Sequence, residues 1–123
     1  MAYEVHLKEF DGPLDLLLHL IEQAKVDIKD IFISEITNQY LSLMEELDEL
    51  DMDTASEFLT MAATLVYIKS RSLLPKPPRE AEEEEDPEEA LVRRLKEYKL
   101  FKQAGEKLNE LSAGMRGVFS RLA

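Results

Sequence analysis

Hydrophobic positions recur at helical spacing along most of this chain, and the densest pattern lies between Asp53 and Pro75. At about 100° per residue, Ala55, Phe58, Leu59, Ala62, Val66 and Leu73 form one stripe. Met61, Leu65 and Ile68 form a second stripe beside it, and Ala63, Tyr67 and Leu74 widen the first on its other side. Only Glu57, Lys69 and Arg71 bring charge, so the apolar arc spans roughly 250°, against the ~100° that a surface helix needs. Asp53 is the expected N-cap, and Pro75 ends the run by removing a donor and pushing Leu74 out of helical geometry. Such a helix has to be covered on more than one side. The two other apolar runs of the first 75 residues are too short for that, so the pattern predicts a partner helix or coiled coil against Met61, Leu65 and Ile68.

Upstream, Tyr3, Val5 and Leu7 alternate as a short extended arm would. Gly12 then suits an N-cap, Pro13 a first helical position and Asp15 a first turn, opening a leucine-dense, largely buried helix. Ala24 to Ile33 reads as a connector with a turn at Asp27–Asp30. Ser34 is the expected cap of a second helix carrying Ile36, Tyr40, Leu43, Met44 and Leu47. Downstream, four of the five prolines fall within residues 75–87 beside the acidic run Glu80–Asp86. Stiffness and like-charge repulsion predict an extended spacer of up to about 45 Å there. Asp86-Pro87-Glu88-Glu89 is another helix start. The helix it opens carries Leu91, Leu95, Tyr98, Phe101, Ala104, Leu108, Leu111 and Met115, read as one narrow stripe between Arg93, Arg94, Lys96, Lys99 and Lys102. Gly105 weakens it, and Gly114 is the expected stop before a tail with Phe119 and Leu122. The fold class expected is all-α: a helical domain over 1–75, an acidic proline-rich linker over 76–89, and a separate amphipathic segment over 90–123, for which a groove on another protein is favoured over packing back on the body or self-association.

Charge sharpens that division. The net charge is −11, distributed as −10 over residues 1–74, −6 over 75–89 and +5 over 90–123. The acidic body is repelled by phosphate backbones and favours protein partners. A rival reading makes the basic 91–107 helix the reader of a DNA-binding regulator. No stretch approaches a membrane span, no export signal opens the chain, and cysteine is absent, so a soluble cytoplasmic protein is expected. Catalytic chemistry finds no purchase: there is no phosphate loop, nucleophile elbow or zinc spacing. Asp15 and His19 lie one turn apart without a third ligand, and the acidic runs lack the turn glycine of a calcium loop. No enzyme activity, metal or cofactor is expected.

Several motifs then stand together: Phe10-Asp11-Gly12-Pro13-Leu14-Asp15-Leu16-Leu17-Leu18, Asp27-Ile28, Ile36-Thr37 with Tyr40-Leu41, and Phe58-Leu59 with Met61-Ala62, Leu65, Ile68-Lys69-Ser70 and Leu73-Leu74-Pro75. In these the chain resembles ScpA, the bacterial kleisin family of segregation and condensation proteins. Such proteins continue into a C-terminal winged-helix domain, so the resemblance implies an N-terminal fragment. It also implies an adaptor in chromosome condensation and segregation, nucleoid-associated, whose N-terminal domain binds the coiled-coil neck beside an SMC ATPase head. A central segment would wrap a dimer of ScpB, with no direct contact to nucleic acid and none to membrane. On this chain the expected neck contacts are Tyr40, Met44, Phe58, Met61, Leu65, Ile68, Lys69 and Ser72. The expected ScpB anchors are Leu91, Leu95, Tyr98, Phe101, Leu108, Leu111 and Phe119.

Overall fold

The computed structural model describes residues 6–31, 35–72 and 86–122. Among them all regular structure is helical: α1 (Pro13–Ala24), α2 (Ile36–Leu43), α3 (Met52–Ser72) and α4 (Pro87–Leu122). Single 3-10 segments precede α1 (Leu7–Glu9), separate α1 from α2 (Ile28–Asp30) and extend α2 (Met44–Glu49). The all-α expectation holds. Leu7 lies in a 3-10 turn instead of an extended arm, while Tyr3, Val5, Ser34, Leu73 to Pro75 and residues 76–85 of the expected linker fall outside the described residues, and residues 87–89 of that linker open α4.

Helix starts follow from cap chemistry. Gly12 precedes Pro13 with φ of 145°, a backbone conformation that costs a side-chain-bearing residue strain. Asp15, in the first turn, reaches back to accept the Asp11 N–H at 3.0 Å, which ties down the approach to the helix. α4 starts as its sequence says, with the Asp86 carboxylate accepting the Glu88 N–H at 3.4 Å. α3 starts two residues earlier than expected. Asp51, not Asp53, is the cap, its Oδ1 taking the Thr54 N–H at 2.8 Å, and that bond holds its carboxyl below the ordinary range. α1 ends in a left-handed residue, Lys25 (φ 58°), with Val26 N–H returning to the Ile21 carbonyl. Gly114 does not stop α4, which runs through it to Leu122. One glycine costs a helix only ~1 kcal/mol relative to alanine.

The most enclosed helix is α1, with Leu16, Leu17, Leu18, Leu20 and Ile21 all buried. Around it α3 contributes Phe58, Met61, Ala62, Leu65 and Ile68, and α2 contributes Ile36 and Tyr40. The Tyr40 hydroxyl, fully buried, donates to the Phe58 carbonyl at 2.9 Å, and burial pushes its pKa well above the usual phenol range. At the far end of the same helix pair, Lys69 Nζ donates to Asn38 Oδ1 at 3.0 Å.

The fourth wall is α4, and here the structure departs from the sequence reading. Leu91 and Leu95 are 1 % and 0 % exposed and belong to the same core as Leu65 and Ile68. The segment over 90–123 therefore does not stand apart from the body. Its first turns supply the extra neighbour that α3 was expected to find on another protein. Lys102 completes the joint by reaching Asp15 Oδ1 at 2.8 Å, where the aspartate side chain is only 8 % exposed. Burial alone would raise the Asp15 pKa, but the hydrogen bonds from Lys102 and the Asp11 amide outweigh it and hold it below its ordinary 3.8. Lys102 is raised above its ordinary 10.5, chiefly by the hydrogen bond to Asp15.

Two outcomes follow. Leu95→Ala should cost about 2–5 kcal/mol, read as a lower urea midpoint, whereas Leu111→Ala on the exposed part of α4 should stay within about 0.5 kcal/mol. For the Asp15–Lys102 pair, a depressed carboxylate and a raised ammonium both stabilise the fold between their ordinary values of 3.8 and 10.5. Thermal stability should fall as pH drops through the folded pKa of Asp15, and again as pH rises through that of Lys102. Asp15→Asn should remove most of the acid-side decline that this carboxylate contributes.

Candidate partner-binding surface

Both long helices are two-faced. On α3 the buried residues Phe58, Met61, Ala62, Leu65 and Ile68 cluster on one side. Met52, Leu59, Ala63, Val66 and Tyr67 lie about 150° around the helix from them. That second face is open: Leu59, Val66 and Tyr67 are 50 %, 48 % and 55 % exposed. Arg71 stacks over the Tyr67 ring at 5.8 Å, extending the face towards the end of the helix.

α4 repeats the arrangement along its length. Leu91, Leu95, Tyr98 and Lys102 follow 4-3-4 spacing and face the body. From Phe101 the apolar positions switch to a different seam, Phe101, Ala104, Leu108, Leu111 and Met115, at 3-4-3-4 spacing. The two sets are centred about 130° apart, because three successive steps of three residues walk the pattern round the helix. The single stripe inferred from sequence is thus two faces. Phe101, Leu108, Leu111 and Met115 are all more than half exposed, and the spacing of their seam is that of a coiled-coil a/d face.

The expected site residues divide accordingly. Of the eight proposed for the neck, Tyr40, Phe58, Met61, Leu65 and Ile68 lie in this chain's own core. Met44 packs half-buried against that core, Lys69 is held by Asn38, and Ser72 closes α3. Of those proposed for ScpB, Leu91 and Leu95 are core. Tyr98 is half-buried, its ring centroid 6.4 Å from that of Phe101, at the point where the face changes. Phe101, Leu108 and Leu111 are on the open seam, and Phe119 lies in the last turns of α4 with its side chain outside the described residues. The sequence reading missed Leu59, Val66 and Tyr67 as surface candidates, although their phase relative to Phe58 and Leu65 was the available signal.

The titratable side chains nearest one another on α1 are held in structural contacts. Asp15 is engaged by Lys102 and the Asp11 amide, and the His19 ring packs on Phe10 at 5.1 Å between centroids. Among the described residues no three ligating side chains converge, and no helix is long and apolar enough to cross a membrane. The basic residues of α4 are partly engaged inside the chain, Lys102 with Asp15 and Arg93 with Glu97 at 3.4 Å.

Comparison with known proteins places the chain in a family. A family model described as segregation and condensation protein ScpA matches residues 20–122. The chain is 50 % identical to segregation and condensation protein A of Brevibacillus brevis, aligned over 100 % of this chain and 52 % of that protein. Against the Listeria innocua protein of the same name the identity is 52 %, covering 94 % of this chain and 48 % of the relative. For the Bacillus licheniformis protein it is 47 %, covering 98 % and 51 %. The chain spans about half the length of the curated relatives it matches. With a family model matching most of its residues, this chain belongs to the ScpA family of segregation and condensation proteins.

Proposed function

We propose that this chain is the part of a kleisin adaptor that links the coiled-coil neck of an SMC ATPase to a ScpB dimer, serving chromosome condensation and segregation in the cytoplasm at the nucleoid. The observation that carries the reading is the pair of open apolar faces, one on α3 and one on distal α4, held in fixed relation by a shared core. An adaptor needs two separate grips on one rigid frame. An enzyme would need converging polar groups, and the family name points to chromosome organisation instead.

The α3 face suits the neck. Leu59, Ala63, Val66 and Tyr67 present a straight ridge for a helical partner, so the neck meets the outer face of α3 while Phe58, Met61, Leu65 and Ile68 hold the frame behind it. Lys69, held by Asn38 near the end of α3, lies closer to the inner set than to this outer face. The distal α4 seam suits ScpB, with Phe101, Leu108 and Leu111 as anchors and Phe119 extending the row. Leu91, Leu95 and Tyr98 act by fixing the direction in which α4 leaves the body. ATP hydrolysis belongs to the SMC partner, and neither DNA nor membrane is contacted directly by these faces.

Val66→Glu should weaken binding to a purified SMC head with its neck by about 10²-fold or more, the scale of a buried interface hot spot, and leave ScpB capture intact. Leu111→Glu should do the reverse. Both positions are exposed, so circular dichroism and melting temperature should match the parent chain. Loss of both partners in either variant, or of neither in both, would refute the division of the two faces.

A further inference from the structure

Beyond the two apolar faces, a groove of about 700 Å³ runs between the end of α1, the 3-10 turn at Ile28–Asp30 and the middle of α4. Its rim carries Lys25 and Lys29 on one wall and Lys96 and Lys99 on the other. Its floor is apolar, built from Leu18, Ile21, Val26 and Ile28, with Leu100 standing 67 % exposed at the α4 edge. A shallower extension of about 450 Å³ continues along α4 past Val92, sharing Lys29, Lys96 and Leu100. This flank of α4 lies about a third of a turn from the Phe101–Met115 seam, so the groove is a different surface from those assigned above and does not depend on them.

Four ammonium groups around one apolar trough are unusual in a chain of net charge −11. Glu22 and Asp27 share the lining, yet among the described residues neither forms an ion pair with any of the four lysines. Lys25 caps the C-terminal end of α1 and Lys29 lies in the 3-10 turn that follows, so the two walls bring cations from separate elements to one trough. Lys25 is also the residue with positive φ that ends α1, a position where glycine would be adopted without strain. The fold thus carries a charged side chain at a backbone site that disfavours it, on the lip of this groove.

We propose that this groove binds an acidic amphipathic segment of a second protein, its apolar side chains on Ile21, Ile28 and Leu100 and its carboxylates on the lysine pairs of the two walls. A free anion would occupy one lysine cluster and leave the floor bare. A nucleic-acid backbone would match the lysine rim but gain nothing from the apolar floor. Carboxylates spaced along a helix with leucines between them match both the floor and the rim.

The test uses the full 123-residue chain, isotope-labelled for amide NMR. The probe is a short synthetic helix-forming peptide with leucines on one face and glutamates elsewhere. Saturable shifts should appear at Lys25, Val26, Ile28, Lys96, Leu100 and Gln103, weakening with added salt. A peptide of the same composition with scrambled leucines should bind about tenfold more weakly or worse, and so should the K96E/K99E variant with the true probe. Lys25→Gly separates binding from folding: its melting temperature should be unchanged or higher while the peptide affinity drops. The proposal is overturned if the probe shifts no groove amide, if its shifts map to the Phe101–Met115 seam, or if the scrambled peptide binds equally well. It is equally overturned if a single-stranded oligonucleotide occupies the groove as tightly, or if changing Glu82–Glu85 to glutamine by itself shifts the groove amides and frees the site, which would make the chain's own acidic run the occupant.

Discussion

Two leucines from the start of α4 close a core that the first three helices leave open. Leu91 and Leu95 join the core cluster that holds Ile21 of α1 and Leu65 and Ile68 of α3, and the remaining architecture follows from that shared core. A body of about seventy residues buries only ~60 % of the surface its unfolded chain exposes, so the recruitment of another two turns of apolar helix matters disproportionately. Once those turns are committed to the core, the direction of α4 is set. Its 36 residues make a helix of roughly 54 Å, of which the part beyond Lys102 leaves the body.

Asp15 shows how closely the local and long-range parts of this joint are tied. The same carboxylate serves the approach to α1 through one oxygen and Lys102 of α4 through the other. Its side chain is nearly enclosed whereas its partner is 40 % exposed. An unpaired carboxylate there would bear a desolvation cost without recompense. The pair therefore counts less as added stability than as a condition on register, since sliding α4 by one residue would strand the charge. The surface pair Arg71–Asp86, at 3.3 Å with both partners nearly half exposed, joins the end of α3 to the start of α4 with far less consequence.

Much of this was legible in the sequence where the governing physics is local. Gly12-Pro13 and Asp86-Pro87 announced their helices, and the leucine density of residues 14–21 announced burial. Asp51 was passed over for Asp53 because two aspartates two residues apart offer the same cap, and the chain takes the earlier one. The wide apolar arc of α3 divides in the structure into an inner face that the core covers and an outer face that stands exposed. The error lay in where the inner cover comes from. An acidic, proline-rich linker argues for separation, and nothing local reveals that Lys102 meets Asp15 across 87 positions. The split on α4 was available but unread: steps of 4, 3, 3 and 3 look like one stripe in a list of residues and turn through well over a quarter of the helix in space.

The two faces also bear on the adaptor role proposed for this chain. If the residues that grip a partner were also those that hold the fold, each binding event would have to dismantle the core, and ordering costs would be paid twice. Here α3 and α4 each carry an inner set of apolar residues and an outer one, offset by well over a right angle. Burial of the inner sets fixes the spacing of the outer ones. Leu91, Leu95 and the Asp15–Lys102 pair tie the first turns of α4 to the core shared by α1 and α3. The covalent connection between α3 and α4 sets how far apart they could drift; the core sets where they are.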